Sequence, residues 1–178
     1  MQEFIWLNRY IYRGEMIQMD IDKPCNDLKM ALNKYGRHVQ SLAFVYLKNR
    51  FDAEDAAQEV FIKYLNKAPW FISAKKEKSW LMTVTVNQCK TMLRAKYRED
   101  LPLPEDLNYL PPQENDLMLA VLGLDEKYRL PIHLHYYEGY SLAEIAKLLQ
   151  TTSGTVASWL SRGREKLKEE LREDYFDE

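Results

Sequence analysis

The chain is poor in the residues that most catalytic, metal-binding or exported proteins depend on. It has two cysteines in 178 residues, Cys25 and Cys89, far apart and in no metal-type spacing such as CxxC. Neither a disulfide framework nor a cysteine metal site is expected, and two isolated thiols suit a reducing, cytoplasmic setting. Of three histidines only His133 and His135 lie close together, and residues two apart on a helix point to opposite sides, which is poor geometry for one metal. No Gly-rich phosphate loop and no Ser/His/Asp set is present. No apolar run approaches the roughly 18–20 residues needed to span a bilayer, so no membrane insertion is expected. The opening MQEFIWLNRYIYRGEM is aromatic, but Arg9 and Arg13 interrupt it. Without a continuous apolar core or a small-residue cleavage site it does not read as a signal peptide. No catalytic residue, cofactor or metal is expected, and the chain does not read as an enzyme.

What is present is a core-forming composition, 46% hydrophobic and 29% charged, with a net charge of −2 that conceals strong asymmetry. Residues 1–98 carry +7, residues 99–128 carry −7 and residues 129–178 carry −2. The sharpest basic excess is in residues 75–98, with seven Lys/Arg against Glu77; a second, Arg162, Arg164, Lys166 and Lys168, faces only Glu165. Binding of a polyanion responds to the local field, so near-neutrality overall does not exclude a nucleic-acid partner. A solvated helix face accounts for either run equally well when each is taken alone.

Periodicity predicts helices throughout. Leu28, Leu32, Tyr35, Val39, Leu42 and Tyr46 step by fours and threes, one stripe of an amphipathic helix. Asp52 reads as the cap of a second helix, with Glu54 and Asp55 in its first turn and Ala56, Val60, Phe61 and Tyr64 as its apolar stripe. Pro69 closes that helix, and Trp70–Lys78 reads as a loop. Met82–Val86 has β-branched, strand-like propensity, but Leu81, Thr85, Cys89 and Met92 keep helical spacing, so Ser79–Tyr97 is read as a helix. Four prolines and several acids between Glu99 and Pro112 prevent a regular helix and predict an extended tether. Further helices are expected at about 114–122, 125–137, 141–149 and 153–172. The fold class is all-α: two small helical domains, residues 25–98 and 114–178, joined by a Pro-rich acidic linker at 99–113 and preceded by an extension, 1–24.

The most informative local pattern is Ser141-Leu-Ala-Glu144, a capping box, followed by a helix burying Leu142, Ile145, Ala146 and Leu149. A tight turn at Gln150–Thr152 leads to a helix burying Val156, Leu160, Leu167 and Leu171, with Gly163 in the same stripe. The other face offers Thr155, Ser158, Ser161, Arg162 and Lys166, the hydroxyls and cations that read base edges and grip phosphates in a major groove. A polar helical hairpin with no nucleic-acid partner is the alternative.

Three motifs in order carry a resemblance. Asp52-Ala-Glu-Asp-Ala-Ala-Gln-Glu-Val-Phe-Ile-Lys-Tyr-Leu65 resembles region 2.1–2.2 of the extracytoplasmic-function (group 4) sigma factors of bacterial RNA polymerase, in the sigma-70 family. Ser79-Trp-Leu with Asn87 and Leu93-Arg94 is similar to their regions 2.3–2.4. Ser141–Ala146 with Gly154-Thr-Val156 and Arg162-Gly-Arg-Glu-Lys-Leu167 resembles region 4.2. The resemblance implies a dissociable initiation subunit, binding core polymerase at the β′ clamp helices and β flap. Asp52, Asp55, Gln58, Glu59 and Phe61 would be the contacts to core polymerase. Trp70, Phe71, Lys75, Lys76, Lys78, Trp80, Asn87 and Arg94 would engage the −10 element, capture a flipped base and hold the melted strand. Trp80 could instead be core. Ser153, Thr155, Ala157, Ser158, Ser161, Arg162, Arg164 and Lys166 would read the −35 element as duplex. The resemblance also implies an anti-sigma factor as partner, and a tether whose acids mimic RNA in the exit path, although a merely solvated linker explains those acids equally. The family usually has cations where this chain has Ala157 and Trp159. A specific base contact is worth on the order of 1–3 kcal/mol, so a shifted or weaker −35 preference is expected.

Overall fold

A computed structural model describes residues 22–67, 71–98 and 115–176. The 1–24 extension (all but its last three residues), Trp70 and the 99–113 linker lie outside the described residues. Seven helices account for most of what is described: α1 (Asp22–Leu47), α2 (Arg50–Lys67), α3 (Ala74–Arg98), α4 (Asn115–Gly123), α5 (Glu126–Ile132), α6 (Leu142–Leu149) and α7 (Ser153–Phe176). No strand occurs among the described residues.

The predicted α1 stripe is the core stripe: Tyr35, Val39, Leu42 and Tyr46 are buried against Ala56, Val60 and Tyr64 of α2 and Leu81, Val86 and Cys89 of α3. The β-branched stretch in α3 is helical because Leu81, Met82, Thr85, Val86 and Cys89 are buried in one stripe, and its hydroxyls are satisfied within the helix. Thr83, Thr85 and Thr91 donate to the carbonyls of Ser79, Leu81 and Asn87 at 2.8–2.9 Å, the back-bonding that lets threonine sit in a helix.

Two helix starts differ from the sequence expectation. The cap of α2 is Asn49, whose Oδ1 accepts from the Asp52 amide at 2.9 Å; Asp52 stands in the first turn instead. The turn is made by Lys48 at φ 53°, a left-handed residue ending α1 with its amide on the Phe44 carbonyl, a place usually taken by glycine. The segment expected as a loop to Lys78 is helical from Ala74. Ser73 nucleates it, accepting at Oγ from the Lys76 amide (3.3 Å), and Glu77 sits at the positive end of the helix dipole. Glu77 accepts from Tyr35 Oη (3.0 Å) and Tyr64 Oη (2.6 Å), pinning the start of α3 to α1 and α2.

The second half packs α5 and α6 against α7. After Ile132 the predicted 125–137 helix widens into one π turn, His133–Tyr137, closed by the Glu138 amide on the His133 carbonyl (3.2 Å). Gly163 is buried where α7 crosses α5: a Cβ there would lie 2.6 Å from Ile132 Cδ1 and 3.3 Å from Tyr128 Cβ.

Two halves on an extended tether would be independent, but these touch. Arg129 of α5 is buried and donates from Nε to the Val45 carbonyl (2.6 Å), from Nη2 to Tyr46 (3.4 Å) and from Nη1 to Leu124 (2.6 Å) and Leu122 (3.3 Å). The acceptors lie at the C-terminal ends of α1 and α4, where carbonyls lack helical partners and the dipole is negative. One guanidinium therefore joins two helix ends across the seam between the halves.

Candidate nucleic-acid and polymerase interfaces

The helix-turn-helix has the predicted cap and turn, but the first helix buries Ile145, Ala146 and Leu148, with Leu142 and Leu149 only half-buried because they flank that stripe. Ser141 Oγ accepts from the Glu144 amide (3.4 Å) while Glu144 Oε2 accepts from the Ser141 amide (3.0 Å), completing the capping box. Gln150 turns the chain at φ 58°, ψ 48°, and Thr152 Oγ1 caps α7 by accepting from the Thr155 amide (3.1 Å). Val156, Leu160 and Leu167 are buried. By helical spacing Ser158, Ser161 and Arg162 stand opposite them, with Ala157 and Arg164 on one flank and Lys166 and Thr155 on the other. All eight candidate residues of this helix, Ser153 included, are exposed or half-exposed, so the whole set is accessible to a duplex. Trp159 is turned inward: it is half-buried and lines a groove of about 500 Å³ at the seam with Tyr46, Lys90, Leu130 and Leu149.

The structure divides the basic segment of α3. Lys76, Trp80, Asn87 and Arg94, with Thr83 and Thr91 between them, form one stripe by helical spacing, and all but the half-buried Trp80 are exposed. The two threonines, which the sequence marks only as less typical of the family, are polar groups on this same face by an i, i+4 count from Asn87. Trp80 lies edge-on to Tyr64 and Phe71, at 6.1 and 5.8 Å between centroids, and Phe71 stacks on Tyr64 at 6.2 Å. Phe71 and Trp80 are each half-buried, so the cluster anchors to the core and still presents ring surface to solvent.

Lys75 and Lys78 face the other way, toward the second half. Lys78 Nζ lies 2.9 Å from Glu138 Oε2, 3.4 Å from the Glu138 carbonyl and 5.6 Å from the centroid of Tyr140. Lys75 Nζ lies 2.8 Å from Glu144 Oε1. Lys75 and the capping-box bonds together hold the Glu144 carboxyl down at about 2. His38 Nδ1 is 2.8 Å from Glu138 Oε2, and the buried His133 ring is 3.8 Å from Oε1. Burial drives the His133 pKa down to about 4, against the opposing pull of Glu138. The pairings of Lys75, Lys78 and His38 across the two halves are not visible in local sequence.

On α2, Asp55 and Glu59 are exposed and Gln58 is half-exposed, as a docking surface requires; Asp52 is half-buried. Phe61 is 6% exposed and belongs to the core, so its aromatic ring supports the helix and does not face a partner. An aromatic this helix does expose is Phe51, 68% exposed and one turn before Asp55, which sequence reading misses because it precedes the expected cap. Phe51, Asp55 and Glu59 share one exposed face.

Comparison with known proteins places both halves of the chain in one family. Residues 31–99 match the family model for Sigma-70 region 2, and residues 114–167 match Sigma-70, region 4. The chain is 30% identical over 160 residues to the ECF RNA polymerase sigma factor SigW of Bacillus subtilis, covering 78% of this chain and 86% of that one. It is 27% identical over 179 residues to the ECF RNA polymerase sigma-E factor of Haemophilus influenzae, covering 89% and 93%. Among solved structures, the sigma factor RpoE in complex with the anti-sigma factor NepR from Bartonella quintana superposes with a TM-score of 0.70 at 26% identity, covering 82% of this chain and 97% of that one.

Proposed function

Because the chain belongs to the extracytoplasmic-function sigma factors of RNA polymerase, we propose a division of labour among its exposed faces within that activity. The protein is a sigma factor that directs promoter-specific transcription initiation, working as a subunit of RNA polymerase and not as an enzyme by itself. We place it in group 4 and in the cytoplasm, where its polymerase is. No described helix is long and apolar enough to cross a membrane.

In this reading Asp55, Gln58 and Glu59, flanked by Asp52 and Phe51, bind the β′ clamp helices, and the second half meets the β flap. The stripe Lys76–Trp80–Asn87–Arg94, with the Phe71 ring and with Lys75 and Lys78 once free, holds the melted −10 strand. Cations meet phosphates and flat rings meet unstacked bases. Ser158, Ser161 and Arg162, with Ser153, Thr155, Ala157, Arg164 and Lys166 around them, read the −35 duplex. The domain limits 25–98 and 114–178 follow the same division, and an anti-sigma factor is the expected regulator.

The observation that carries the reading is a capped helix-turn-helix with an outward Ser158–Ser161–Arg162 face, in one chain with an exposed acidic stripe on α2. The test is binding to purified core polymerase against a known sigma factor as competitor. Mutually exclusive binding, followed by run-off transcription from genomic fragments, is the expected result. Tight duplex binding by the chain alone, with no affinity for polymerase, would replace this reading with an operator-binding regulator.

A further inference from the structure

The basic segment at the start of α3 is split between two occupants, and the split has a consequence for the free protein. Lys76 is exposed. Lys78 sits in a socket made wholly by the second half, between the Glu138 carboxylate, the Glu138 carbonyl and the Tyr140 ring. Lys75 meets Glu144. The backbone that carries both acids is set before any lysine arrives, and the Glu138 carboxylate also meets His38 of the first half at 2.8 Å. Glu138 leads the turn after the π segment, where Gly139 takes φ 73°, the Tyr140 amide donates to the Leu134 carbonyl (2.9 Å) and His135 Nδ1 lies 2.8 Å from the Tyr140 carbonyl. Glu144 spends Oε2 on the Ser141 amide and hydroxyl (3.0 and 2.7 Å) and offers Oε1 to Lys75. Two fixed carboxylates facing two lysines three residues apart resemble, in charge and orientation, the phosphates that such lysines bind.

We propose that the helix-turn-helix half masks the first half by mimicking a nucleic-acid backbone: Glu138 and Glu144 occupy Lys78 and Lys75, and a single strand gains these two cations only when that contact breaks. The proposal rests on the assignment of Lys75 and Lys78 to the melted strand. The Glu138–Lys78 contact is the stronger of the two, because both side chains are sheltered, at 4% and 24% exposure. The Lys75 pair is largely open to water and contributes mostly orientation. A strand carrying several phosphates competes with two carboxylates by number, and does so best at low salt, where counterion release favours it most. The free chain therefore binds single strands poorly, and anything that draws the halves apart improves that binding.

The test is the full-length variant Glu138→Gln/Glu144→Gln, read in two ways. Glutamine at position 144 still serves a capping box, so the helix-turn-helix is retained. In the first readout the purified protein is acetylated with an amine-reactive ester, and mass spectrometry gives the rate at Lys78 relative to Lys76 of the same molecule. In the second, fluorescence anisotropy follows binding of a labelled single-stranded oligodeoxynucleotide. The variant Asp125→Asn/Glu169→Gln, with the same change of charge at exposed positions away from the contact, is the control.

The Lys78-to-Lys76 ratio rises several-fold in the test variant, and the oligonucleotide binds about fivefold or more tighter than to the control. Adding Lys75→Ala/Lys78→Ala to the test variant removes that gain. An unchanged ratio overturns the mask and leaves the sigma reading intact. A raised ratio with no gain in affinity overturns it through the underlying assignment of the two lysines. If the test variant loses its helical circular dichroism, Glu144→Gln alone and a salt series on the unaltered protein decide the matter. Lys75 and Lys78 then acetylate faster relative to Lys76 as salt rises, or the proposal fails.

Discussion

At the scale of single residues, His133 is a buried base whose environment resists its charging. Its folded-state pKa, about 4, lies below the ordinary 6.5, so the unfolded chain takes up the proton first. Stability is intact above about pH 6.5 and falls as the pH drops toward 4, by on the order of 3 kcal/mol for this group. Glu138, which favours the charged ring, and His38, which opposes it, set the remainder. In urea titrations from pH 7 to pH 4 the variant His133→Gln should show a shallower loss of stability than the native chain; parallel slopes would assign the loss to other groups. Gly163 makes a second residue-scale prediction. Its added Cβ already collides with Ile132, and Ile132 is itself buried. Gly163→Val should therefore cost about 3 kcal/mol, measured by thermal unfolding, while exposed Ala157→Val costs far less.

Among the elements, α7 depends on its cap as well as on its apolar stripe. Thr152 supplies both the bond to the Thr155 amide and, at 2.9 Å, contact with the Thr155 hydroxyl. Thr152→Ala should cost about 1 kcal/mol of stability, while Thr152→Ser keeps the oxygen and restores most of it; the comparison needs only two melting curves. This element also shows what sequence made legible. The Ser141 capping box, the 150–152 turn and the buried stripe of α7 are all written within four residues of where they act, and all were readable. The α2 cap was misassigned because the left-handed turn at Lys48 lacks the glycine that usually announces one. The start of α3 reads as loop because Pro69 ends the preceding helix and the apolar stripe begins only at Leu81, although Ser73 and Glu77 carry the signal for a helix. The partners of Arg129, up to 84 residues away in sequence, and the pairing of Lys78 with Glu138 depend on how whole helices dock. No local periodicity encodes them. Of the candidate site, exposure on α7 and on the Asn87 face of α3 followed from periodicity. The inward turn of Phe61 and the diversion of Lys75 and Lys78 did not.

For the molecule as a whole, the proposed assignment of tasks predicts separable defects. Arg162→Ala should lower promoter-dependent transcription at least about tenfold, equivalent to about 1.4 kcal/mol of lost base or phosphate contact, with core-polymerase binding unchanged. Asp55→Ala/Glu59→Ala should weaken polymerase binding and leave duplex contact by α7 intact. A pull-down on core polymerase and a run-off assay distinguish them; equal loss of both activities in either variant would undo the assignment. The same whole-molecule view gives the Arg129 clasp a meaning during synthesis. The first half, α1, α2 and α3, leaves the ribosome before Arg129 does. Until it emerges, the last-turn carbonyls of Val45 and Tyr46 lack its guanidinium and must be hydrated. The newborn first half thus passes through a period in which its own end of the seam is wet, its lysines are not yet masked, and a passing polyanion meets them before their intramolecular partner does.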